Sequence, residues 1–137
     1  MLGCVHACIG AAVGSLFKRK PAAFAGGVVS HVVADLIPHT DFDPKIDVPI
    51  AAAIIAGIAK FKGVDSPEFW GAIGAVAPDS EHALLLAGLI GQDDEIFPTH
   101  GGADALHGRE THEQGSQILI AAAALAVVAI VASRDMK

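Results

Sequence analysis

The sequence predicts an all-α fold, a compact up-and-down bundle of five to six helices, rich in alanine and glycine and embedded in a membrane. Apolar stretches of helical length are punctuated by prolines and short polar loops, and no run alternates apolar with polar residues as a half-buried strand does. Alanine (26) and glycine (15) make up nearly a third of the 137 residues, so the core must form by close approach of backbones. Basic residues gather at alternate turns of the up-and-down trace, and the mean hydropathy is +0.53. The length suits a single domain over residues 1–137.

The first helix is expected from about Gly3 to Phe17, stopped by Lys18-Arg19-Lys20-Pro21. The second starts at Pro21 and ends at Ile37, before Pro38. After the polar loop His39 to Pro49, in which Asp47 is a cap for the next helix, the third reaches about Phe61 and closes at Lys62-Gly63. Ser66-Pro67-Glu68 opens the fourth, which Pro78 is expected to break, and a short fifth spans about Ser80 to Ile90. The acidic, glycine-rich stretch Gly91 to Gly108 reads as loop. The last helix runs from about Arg109 to Ser133. Small residues such as Gly10 with Gly14 and Gly71 with Ala75 permit close helix contacts.

With 15 acidic against 9 basic residues, the formal net charge of −6 excludes a nucleic-acid backbone as the main partner. Cys4 and Cys8, four apart, read as small packing residues, because an i,i+4 pair on a helix is poorly placed for a disulfide. No segment offers the roughly 20 apolar residues of a full bilayer span. Lys18, Arg19, Lys20, Lys60, Lys62, Arg134 and Lys137 nevertheless fall at one end of the bundle, the asymmetry of a membrane protein with its basic ends in the cytoplasm.

The same trace gathers the seven histidines and most carboxylates at the other end. His31 and Asp35 lie four apart on one helical face, spaced to bind one metal or for the acid to orient the imidazole. His39, Asp41 and Asp43 alternate after the second helix, either as N and O ligands for zinc or another divalent ion or as an exposed acidic loop. Asp79 and His82 meet a helix start, where Asp79 is a ligand or a cap, and Glu81 is a candidate general base. His107 and His112 bracket another helix start with Glu113, and Arg109 is suited to a phosphate or carboxylate contact. His6, at the start of the first helix, is an additional candidate ligand. Carboxylates gathered at one pole repel one another, and one or two divalent ions, zinc foremost, would reconcile them.

In order along the chain, His6 to Gly14, His31 to Pro38, Pro78-Asp79-Ser80-Glu81-His82 and His107-Gly108-Arg109-Glu110-Thr111-His112 resemble the predicted membrane-bound, metal-dependent hydrolases of bacteria and archaea. More distantly they are similar to the helical zinc-dependent phospholipase C proteins. Glu81 stands where that family has a second aspartate, and Gly108 and Arg109 are in reversed order. The resemblance implies metal ligation by Asp79, Glu81, His82, His107 and His112. The resulting expectation is a metal-dependent hydrolase of a phosphoester, such as a phospholipid, integral to a prokaryotic cytoplasmic membrane with its site on the extracytoplasmic side. Glu81 or Glu113 would move the proton and Arg109 would steady the developing charge. The alternatives are a non-catalytic membrane protein with a structural, sensing or transport metal, and a soluble, cytoplasmic metal-binding bundle.

Overall fold

The computed structural model describes residues 1–40, 43–94, 96–97 and 115–135. Among them are five α-helices, α1 (Gly3–Gly14), α2 (Lys20–Asp35), α3 (Pro44–Lys62), α4 (Pro67–Leu86) and α5 (Gly115–Asp135), with a 3₁₀ turn at Gln92–Asp94.

Local chemistry sets most of the helix ends. Asp43 caps α3 by accepting from the Lys45 amide, and Gly63, at φ 88°, closes it in a backbone region that favours glycine. Ser66 caps α4 through the Phe69 amide, ahead of Pro67 in the first turn. No side chain of its own caps α1; instead Asp47, from the first turn of α3, accepts from the Gly3 and Cys4 amides at 2.6 and 3.3 Å.

α1, α2 and α4 form the tight heart of the bundle, with α3 and α5 against α1. The contacts are made by small residues. A Cβ at Gly71 would strike the Gly10 carbonyl, one at Gly27 would strike the Gly71 carbonyl, and one at Gly74 would strike the Phe24 carbonyl. Buried alanines 7, 11 and 72 pack with Ile58 in one cluster, and Met1, Leu2, Val5 and Ala34 form another. An alanine removes little apolar surface from water, so stability here leans on dense backbone contact as well as on side-chain burial.

Three expectations are corrected. The third helix opens at Pro44 under the Asp43 cap, so Asp47 and Pro49 lie inside α3 rather than at its start. Pro78 does not break the fourth helix: α4 runs through it to Leu86 and absorbs the separate fifth helix, so the described residues form five α-helices. A proline costs its own amide bond and crowds the turn before it, and α4 is held on both sides of that turn by α1 and α2. The membrane-embedded architecture is also overturned, because among the described residues no helix is long and apolar enough to cross a membrane. The 12 residues of α1 span about 18 Å against a hydrocarbon core of about 30 Å. α2 carries His31 and Asp35 within its 16 residues, and α4 carries Glu68, Asp79 and Glu81. The sorting of charge has a local source as well: α3 holds Asp47 in its first turn and Lys60 and Lys62 in its last, as helix-end electrostatics favours.

Candidate metal centre

Because glycines let the three inner helices approach closely, short side chains on different helices reach one point. α1 supplies His6, α2 supplies His31 and Asp35 one turn apart, and α4 supplies Asp79 directly after Pro78. His6 and His31 are fully buried, with their rings stacked at a centroid distance of 4.1 Å. One ligand atom each from His6, His31 and Asp79 lies within 4.8 Å of the others, a His/His/Asp cluster able to coordinate a divalent ion.

Each imidazole is oriented through a nitrogen whose partner can only accept. His31 Nδ1 donates to the Ala75 carbonyl at 2.9 Å, on the turn of α4 that Pro78 disturbs, so Nδ1 carries the proton. His31 Nε2 then lies 3.2 Å from Asp35 Oδ2 and 3.8 Å from Asp79 Oδ1. His6 Nε2 donates to Asp35 Oδ1 at 3.0 Å, while its Nδ1, also buried, has no hydrogen-bond partner among the described residues. A carboxylate or carbonyl on the far nitrogen is the arrangement that fixes a metal-binding histidine.

Asp35 is the hub of this network, and the Met1 amino group also donates to it at 2.7 Å. Burial works to raise its carboxyl, but the adjoining His31 and His6 rings and the Met1 amino group outweigh burial and hold it far below the usual carboxylate range. Burial is the largest influence on His6 and lowers its imidazole against the raising effect of Asp35, so the neutral ring with a lone pair is favoured.

The other expected site residues are dispersed. His39 is buried, but its Nδ1 donates to the Ile37 carbonyl at 2.7 Å, closing a turn after α2. Asp43 is the cap of α3 rather than part of the cluster. Glu81 accepts from the Ile96 and Phe97 amides, both at 2.6 Å, and so clamps the chain that follows α4. His82 lies on the backbone of α4. Asp41, His107, Arg109, His112 and Glu113 lie outside the described residues.

Two residues beneath the centre were not expected there. Asp47 holds the start of α1, and buried Gln117 of α5 accepts from the Leu2 amide at 3.1 Å and donates to the Thr40 carbonyl at 2.8 Å. The signal for Gln117 was its place as an amide immediately ahead of the apolar run Ile118 to Ala132. Cys4 and Cys8 are free thiols. Burial, with Asp47 second, pushes Cys4 up to about 12, and burial pushes Cys8 up to about 11.

No family model matches this sequence, and comparison with curated proteins and with solved structures likewise gives no match. The resemblance to membrane-bound metal-dependent hydrolases and to helical zinc-dependent phospholipases C is therefore overturned. With it fall the hydrolase activity and the phospholipid or phosphoester substrate that it implied. The integral-membrane location falls with the helix lengths. Fold and site together define an all-α bundle with a His/His/Asp cluster suited to a divalent ion.

Proposed function

We propose that this chain is a divalent-metal-binding helical module in which His6, His31 and Asp79 hold one ion and Asp35 orients the His6 imidazole. Two imidazole nitrogens and one carboxylate oxygen make zinc the best-suited ion. The ion pins α1, α2 and α4 together at the end where the bundle buries its polar groups.

The supporting observations are that one donor atom each from His6, His31 and Asp79 lies within 4.8 Å of the others, and that buried His6 Nδ1 has no hydrogen-bond partner among the described residues. A cation among these electron-rich atoms, a proton or a metal ion, relieves their mutual repulsion. A proton on His31 would ease its approach to the carboxylates but would leave His6 Nδ1 unsatisfied, whereas a metal ion answers both. Zinc bonds of about 2.0–2.1 Å require each donor to move inward by less than about 1 Å.

The test is calorimetric titration of zinc into chelator-treated protein. The expected result is one equivalent bound by the wild type, loss of that binding in His6→Ala, His31→Ala and Asp79→Ala, and about 10- to 100-fold weaker binding in Asp35→Asn. A folded wild type that takes up no zinc, nickel, cobalt or manganese contradicts the proposal.

A further inference from the structure

α2 has an inverted polarity. After Lys20 its only ionisable residues are His31 and Asp35, and both are buried. Its outward face carries Val29 (63% exposed), Val33 (58%) and, just past its end, Leu36 (51%) and Ile37 (42%), with exposed Ala25 one turn before Val29. Positions 25, 29, 33 and 37 repeat every four residues, so these side chains form one continuous ridge along the helix. A surface helix ordinarily turns its charged face to water and its apolar stripe inward. A contiguous exposed apolar ridge of this kind marks an interaction surface.

The charges at the two ends of the ridge say what fits it. Exposed Lys18 and Arg19 stand at its start, with Lys60 at the same end of the bundle. Asp43, Asp93 and Asp94 are exposed toward the opposite end, where Lys45 is the one base among the described residues. Side-by-side parallel packing of two molecules sets like charge against like. A two-fold axis perpendicular to α2 instead lays the ridge of each molecule against the same ridge running the other way, and sets each basic end against an acidic end. We infer that this ridge is the interface of an antiparallel homodimer, its occupant a second copy of this chain. The interface and the metal cluster lie on opposite faces of α2, so the inference does not depend on metal binding.

Sedimentation equilibrium of the full chain tests it. The wild type is expected at twice the chain mass of 13.9 kDa, and Val29→Glu/Val33→Glu at the chain mass, with unchanged far-ultraviolet circular dichroism. Lys18→Glu/Arg19→Glu is expected to weaken association at least about 5-fold at low salt, because exposed charges within about 10 Å act across the interface there. As a second readout that does not need the double variant to fold, Val29→Cys and Val33→Cys chains mixed in equal amounts are expected to crosslink to each other under mild oxidation. Val64→Cys, exposed in the turn between α3 and α4, is expected not to. A wild type that stays at the chain mass, or a mixture of Val29→Cys and Val33→Cys that fails to crosslink, overturns the inference. So does co-sedimentation of the wild type with uncharged phosphatidylcholine vesicles that the Val29→Glu/Val33→Glu variant loses, which would assign the ridge to lipid.

Discussion

Where α1 finishes and α4 begins, opposite charges meet with little burial: Lys20 Nζ sits 2.7 Å from Asp65, whose side chain is 87% exposed. Beside it, Lys62 reaches the shielded Glu68 at 2.7 Å while keeping contact with water. At the other end of the bundle, His6, His31 and Asp35 are taken almost wholly out of water, and Asp79 joins them from a partly open position. Water settles the pair of Lys20 and Asp65, and the long stem of Lys62 lets its charge reach the buried Glu68. The second end has only short side chains on three closely packed helices, so its groups must be settled by one another and by the Met1 amino group that donates to Asp35. The same helices that bring glycine against glycine in the middle of the bundle create this difference, because their close approach excludes water from the cluster.

Removing the hub of the buried end should have the largest effect. Asp35→Ala leaves His6 Nε2 and the Met1 amino group without their shared acceptor, and breaking a buried pair of this kind costs about 3–5 kcal/mol. Denaturant titration of the metal-free protein should show the midpoint falling at constant slope. Closing the space that brings the helices together comes next: in Gly71→Ala the new methyl meets the Gly10 backbone, and overpacking should cost about 1–3 kcal/mol and weaken zinc binding in parallel. A smaller effect belongs to the thiols. Their folded values, about 12 for Cys4 and about 11 for Cys8, lie above the ordinary 9.0, so the folded chain holds protons that the unfolded chain has released. The stability they contribute is complete below pH 9.0 and is lost as pH rises toward the folded values; Cys4→Ala/Cys8→Ala should flatten that alkaline decline, read by melting temperature. The smallest effect is at the exposed end, where Asp65→Asn removes the ion pair to Lys20 and should leave the melting temperature within its measurement scatter.

Much of the fold was written locally. The Ser66 cap, Pro21 and Pro67 at helix starts and Gly63 mark real ends because each acts on its own few residues, whereas Pro49 marks no end and lies within α3. The small residues at 10, 14, 71 and 75 marked the close contacts, since only backbones can meet there. Pro78 misled, because tertiary packing on both sides of α4 outweighs the loss of one amide bond. In the site, the i,i+4 pairing of His31 with Asp35 was legible, as was Asp79 after its proline. His6 was harder to weigh, because its value comes from a partner 29 residues away. The work of Asp47 and Gln117 was hidden for the same reason: each serves backbone groups far along the chain. The membrane reading failed because charge sorted by helix ends in a bundle imitates charge sorted by a bilayer.

The most direct measurement of the central claim is titration of chelator-treated protein with cobalt(II), a spectroscopic stand-in for zinc, followed through its visible ligand-field bands. The account predicts bands of low-symmetry, four- or five-coordinate cobalt that saturate at one equivalent, vanish in His6→Ala and in His31→Ala, and are displaced by zinc. Bands no different from hydrated cobalt, or bands that persist unchanged without both histidines, would contradict it.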